Sequence, residues 1–140
     1  MVSPPPLREP TFLILTALAR EPMHGYGIVS DVAALSGGRL ALRPGTLYGA
    51  LDRLTDEGLV ERDHDEVVEG RLRRYYRLTE AGRSVLTAET ERLRRNVEAA
   101  SERLRTQHPR TPAVGVTARN PLHFPATTTA PMLRPAGGLA

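Results

Sequence analysis

The 140-residue chain has no cysteine, no tryptophan and no lysine. The missing cysteines exclude disulfides and thiolate metal sites, and they fit a reducing compartment. Aromatic residues are only 4% of the chain. The core must therefore be built from Leu, Val, Ile and Ala. Such a core is helical and small, and it often needs a partner subunit for stability. Without lysine, every permanent side-chain cation is a guanidinium, which can grip phosphate or guanine through two parallel hydrogen bonds. Arginine-favouring base composition is the simplest source of that choice. No apolar run approaches the roughly 20 residues of a membrane span. The opening Met-Val-Ser-Pro-Pro-Pro has neither the charged nor the apolar region of a signal peptide. A cytoplasmic protein with no membrane partner is expected.

Acids are absent from residues 108–140, where Arg110, Arg119 and Arg134 carry the whole net charge of +3. Residues 1–107 hold 16 arginines against 16 aspartates and glutamates, and so are neutral. Any nucleic-acid reading must rest on where charges sit, because their total is zero in the part that folds. Chemistry-bearing patterns are missing too. There is no nucleophile elbow, no phosphate-binding glycine loop and no evident carboxylate pair. His24, His64, His108 and His123 lack metal-ligand spacing. No catalytic residue, metal or cofactor is expected, and the protein is not read as an enzyme.

What is present is a succession of short elements. Pro4-Pro5-Pro6 makes a stiff, non-helical start, and residues 1–6 read as a flexible arm. Thr11 to Arg20 is apolar nearly all round, as in a helix buried on more than one side. Phe12 and Leu15 are its candidates for contact with a second subunit. Glu21 to Gly25 breaks that helix. A second helix spans roughly Gly25 to Ser36, with Ile28, Val32 and Leu35 on one face and Gly37-Gly38 as its stop. Leu40-Ala41-Leu42 reads as a short strand. A third helix runs from about Pro44 to Glu57. Its buried stripe is Leu47, Leu51 and Leu54, and Pro44 suits the first turn.

Leu59 to Arg62 begins a strand, Asp63 to Gly70 reads as a polar loop or flexible tip, and Leu72 to Leu78 returns. Alternation places Tyr76 and Leu78 toward the core. Thr79 is a good N-cap for a long helix ending near Gln107. Along it Leu86, Thr90, Leu93, Val97, Ala100 and Leu104 recur at four and three, which is a heptad seam. From His108 onward, Pro, Thr, Ala and Gly dominate, and a disordered tail is expected.

Two motifs carry the functional reading. Pro44-Gly45-Thr46-Leu47-Tyr48 opens the third helix with a face directed to solvent. Gly70-Arg71-Leu72-Arg73-Arg74-Tyr75-Tyr76-Arg77 is an arginine-rich hairpin arm. A helix and a charged wing side by side are how a small protein grips duplex DNA. The expected fold is mainly α with a small β-hairpin. It consists of a winged helix-turn-helix domain over residues 7–78 and a long C-terminal dimerisation helix over 79–107. Gly45 and Thr46 would direct free helix N–H groups at a phosphate, with Tyr48 and Arg53 adding contacts to backbone or base. Arg71 and Arg73 or Arg74 would hold phosphates, whereas Arg77 could pair with an acid on the next strand. Asp63, Asp65, Glu66 and Glu69 lie in the same hairpin and would repel DNA if they faced it.

The chain resembles the PadR family of bacterial transcriptional regulators. The resemblance is carried by His24-Gly25-Tyr26-Gly27-Ile28, Gly45-Thr46-Leu47-Tyr48, Leu51-Asp52-Arg53-Leu54 with Glu57-Gly58-Leu59, and Arg73 to Arg83. It spans about Leu7 to Gln107. It implies a homodimeric winged-helix repressor of operator DNA, joined through its C-terminal helix with help from the first helix. Many members of that family release their operator on binding a phenolic acid or a hydrophobic drug, so a small-molecule effector is left open. Gly49 stands where the family often has proline, and the absence of tryptophan rules out a Trp sandwich for a flat ligand. From the residues alone, a winged-helix protein–protein module without DNA binding is the rival reading, favoured by the neutral charge of residues 1–107.

Overall fold

In the computed structural model, residues 5–107 are described. The expected arm and tail fall largely outside them, at residues 1–4 and 108–140. The elements are α1 (Glu9–Leu18), β1 (Met23–His24), α2 (Gly25–Leu35), α3 (Pro44–Asp56), β2 (Val60–Val68), β3 (Arg71–Leu78) and α4 (Glu80–Gln107). The strands form one antiparallel sheet in the order β1-β3-β2. This is the winged-helix layout. The chain divides into a unit ending at Glu98 and a second beginning at Ala99, of which residues 99–107 are described.

The core is aliphatic. Ile14, Leu15 and Leu18 of α1 meet Ile28 and Val32 of α2, and Leu47, Leu51 and Leu54 of α3. Val60 and Tyr76 close it from the sheet. Burying such side chains stabilises the fold by roughly 1.5–3 kcal/mol each. Leu15 is fully buried in this core, so it has no surface to offer a second chain. Helix α1 begins two residues before its apolar run, because Pro10 is tolerated in a first turn. Arg39 pairs with Glu9 there at 2.5 Å.

Two local readings of the sequence are corrected. Residues 40–42 form no strand. The hydroxyl of buried Ser36 accepts a hydrogen bond from the Leu40 amide at 2.9 Å, so that amide is satisfied inside the loop after α2. The third strand is instead Met23–His24, paired with Tyr76 and Tyr75. The hairpin is also longer than its composition indicates. Asp65 lies opposite Arg74 and Glu66 opposite Arg73, so the acidic stretch is strand rather than loop. A two-residue turn, Glu69 (φ 51°) and Gly70 (φ 75°), joins the strands. Positive φ at both positions gives the twist that a tight hairpin needs. A bulge lies between Arg62 and His64.

Helix α4 starts as the sequence indicates. The Thr79 hydroxyl accepts from the Gly82 amide at 2.9 Å and donates to the Gly58 carbonyl at 2.7 Å. One side chain thus caps α4 and holds it to the turn after α3. Further along, buried Glu89 accepts from the Leu7 amide at 2.5 Å and from Arg92. The guanidinium of Arg92 holds its carboxyl below the ordinary range, with help from the Leu7 amide.

Candidate nucleic-acid interface

The two motifs meet at one cleft. Its volume is about 630 Å³, and it is lined by His24, Gly25, Tyr26, Tyr48 and residues 71–74. Helix α2 supplies one wall through its first turn, α3 supplies Tyr48, and β3 supplies the other wall. Every charged side chain lining it is an arginine: Arg71, Arg73 or Arg74. Among the described residues, none of the three makes an ion pair within 4.0 Å. No carboxylate therefore occupies these guanidiniums.

The glycines of α2 explain how this wall is built. A β-carbon on Gly25 would lie 2.5 Å from the Tyr48 hydroxyl oxygen. One on Gly27 would lie 3.4 Å from the His24 ring. The small residues in His24-Gly25-Tyr26-Gly27 thus seat two rings, one from α3 and one from β1. Tyr48 remains 45% exposed and Tyr26 79% exposed, so both rings border the open cleft. Tyr26 is the wall residue that reading the sequence missed.

Opposite charge is arranged so that it does not fill the cleft. Arg77 donates to Glu61 at 2.7 Å, with Asp63 at 3.9 Å, so it is a cross-strand partner and does not line the cleft. Tyr75 shares that face. It stacks on His64 at 4.3 Å with the rings 13° apart, and meets His24 at 5.3 Å. Glu66 beside its hydroxyl pushes the Tyr75 phenol up. Burial pushes the Tyr76 phenol up on the core side. The acids of β2 line no part of the cleft.

The other residues singled out from sequence are placed as follows. Gly45 and Thr46 are exposed in the first turn of α3, and no side chain caps that turn. A β-carbon on Gly45 would meet nothing within 4 Å, so its backbone is open to close approach. Arg53 is exposed in the last turn of α3 and does not line the cleft. On the apolar side, Phe12 is half-buried and Leu86 packs partly against the core. Leu93, Val97 and Leu104 are 36%, 62% and 68% exposed. Leu93 joins Leu7, Phe12 and Leu13 in a second, mostly apolar groove of about 360 Å³.

The match to a known family settles what kind of protein carries this cleft. Residues 14–88, more than half the chain, match the model of the transcriptional regulator PadR-like family. The chain belongs to that family. The PadR-like family is one of transcriptional regulators, and so is the one characterised relative named next. A transcriptional regulator from Mycobacterium tuberculosis, Rv3488, is 42% identical over 74 residues, which are 53% of this chain and 65% of the relative. An uncharacterized 37.1 kDa protein in a Streptomyces fradiae transposon is 46% identical over 83 residues, 59% of this chain and 22% of the relative. The chain thus spans less than two thirds of either relative. Among solved structures, Bacillus subtilis PadR in complex with operator DNA is 26% identical with a TM-score of 0.52, over 58% of this chain and 46% of that one. No helix among the described residues of this PadR-like chain is long and apolar enough to cross a membrane.

Proposed function

We propose that this PadR-like protein is a sequence-specific repressor that binds duplex operator DNA as a homodimer. The observation that carries the reading is the cleft whose charged lining, among the described residues, is Arg71, Arg73 and Arg74, with Tyr48 of α3 beside them. A phosphate backbone is the polyanion that such a wall fits, and α3 is then directed at the major groove. Tyr26, Thr46 and Tyr48 give hydroxyls to the backbone, and Gly45 lets a phosphate approach the first turn of α3. Arg53 lies further along the same helix and reaches a base or a phosphate. The Bacillus subtilis PadR complex with operator DNA supports the reading by analogy of fold.

The second subunit joins through the apolar side. Leu93 and Val97 are exposed leucine and valine positions on α4, and Phe12 with Leu13 opens the groove beside Leu93. Leu104 continues the same heptad pattern. Leu15 has no part in this contact, because the protomer's own core encloses it. A small hydrophobic or phenolic effector would act through the angle between the two DNA-binding heads.

Selection from a random duplex pool tests the proposal. A palindromic site should emerge, with half-sites about one helical turn apart. A pool that never converges would contradict sequence-specific binding and favour the protein–protein module, which the neutral charge of residues 1–107 also allows.

A further inference from the structure

The outermost stripe of α3 carries no cation. At about 100° per residue, Gly45, Gly49, Asp52 and Asp56 fall within about 60° of one another, on the side opposite the buried Leu47, Leu51 and Leu54. All four are exposed. Arg53, the helix's one cation, stands to the side of this stripe. The first half of the stripe is bare backbone, because a β-carbon on Gly45 or Gly49 would meet nothing within 4 Å. Glycine weakens a helix interior, so packing within the chain does not account for Gly49. The second half is acidic. Among the described residues, neither Asp52 nor Asp56 has a cationic partner within 4.0 Å.

A helix that enters the major groove presents this stripe to the base edges. The bare half lets the backbone sink toward the groove floor. Asp52 then lies about 10 Å further along the axis than Gly45, or about three base-pair steps. A carboxylate turned toward a polyanion costs affinity unless a donor meets it. The groove floor offers two amino donors, cytosine N4 and adenine N6. Adenine sets its N7 acceptor beside that amino group, where it opposes the second carboxylate oxygen. Cytosine itself presents only the amino group. We infer that Asp52 is a specificity residue, accepting a hydrogen bond from the N4 amino group of one cytosine in each half-site. This inference rests on the DNA-binding reading and adds to it a base that this chain chooses.

The test uses the full chain, a random duplex pool and anisotropy titrations over a salt series on the duplexes that each protein enriches. Asp52 is exposed, so Asp52→Asn and Asp52→Ala should both fold. The wild-type site should hold one cytosine per half-site whose replacement by any other base weakens binding roughly tenfold. Asp52→Asn should select adenine at that position, since a carboxamide matches the N6 donor and the N7 acceptor together. Asp52→Ala should select no base there, while the rest of the site stays the same. Unchanged base choice at every position in both variants would overturn the inference and leave DNA binding standing. A loss of affinity for all duplexes alike, with a changed salt dependence, would overturn it too, by making Asp52 a support for the arginines. A wild-type chain that enriches no duplex would overturn the DNA reading itself.

Discussion

A β-carbon on Gly25 would stand 2.5 Å from the hydroxyl oxygen of Tyr48, so the start of α2 fixes where the α3 phenol can lie. Gly25→Ala should therefore push the Tyr48 ring out of its seat. The ring is half-exposed and can swing, so the stability change should stay within about 1 kcal/mol. DNA affinity should fall by about the worth of one or two hydrogen bonds, roughly 5–30-fold. Thermal melting beside a binding titration separates the two effects. A large stability loss with unchanged binding would sink this assignment.

Gly82 presents the opposite case. A methyl there would lie 2.1 Å from the Leu59 carbonyl oxygen and 2.7 Å from a Leu78 methyl. The first obstacle is backbone and cannot swing away. Gly82→Ala should cost about 2–3 kcal/mol even though alanine is the better helix former. Thermal melting should show a drop of roughly 10–20 °C.

Thr79→Ala removes both the α4 cap and the bond to the Gly58 carbonyl. A loss of about 1–2 kcal/mol is expected. Thr79→Ser should recover most of it, since the hydroxyl is what makes both bonds. Urea unfolding curves of the three proteins check this, and equal midpoints for alanine and serine would refute it.

Glu89 sets a pH dependence. Its carboxyl is held below the ordinary range, first by Arg92 and then by the Leu7 amide. A carboxyl depressed in the folded state contributes stability above its unfolded pKa and loses that contribution as pH falls through the folded value. Wild type should therefore lose more stability than Glu89→Gln on going from neutral pH to below pH ~4. Parallel stability–pH curves for the two proteins would mean that this carboxyl is not linked to folding.

Much of this architecture is legible in the sequence, for physical reasons that also explain the misses. The α3 stripe of Leu47, Leu51 and Leu54 and the Thr79 cap depend on neighbours within a turn or two, so spacing reveals them. Tyr76 is buried as its alternation indicates. Strand β1 has only two residues and exists because Tyr75 and Tyr76 lie beside it, more than fifty positions away. Nothing local marks Met23 and His24 as strand. The length of the hairpin is hidden for a similar reason. Asp65 and Glu66 look like loop residues until Arg74 and Arg73 are set opposite them. In the site, arginine clustering identified three cleft residues. Tyr26 was missed because it lines the cleft only once the first turn of α2 is set against β3, far along the chain. Leu15 was offered to a second subunit because an all-apolar helix does not say which of its faces the protomer itself will cover.

In the proposed complex Arg73 and Arg74 hold phosphate. The direct measurement is DNA affinity over a salt series for wild type and Arg73→Ala/Arg74→Ala, on the duplex the wild type selects. Each lost phosphate contact should reduce the slope of log affinity against log salt by about 0.9. The double variant should therefore bind more weakly with a slope shallower by about 2. Equal slopes and equal affinities for the two proteins would contradict the claim.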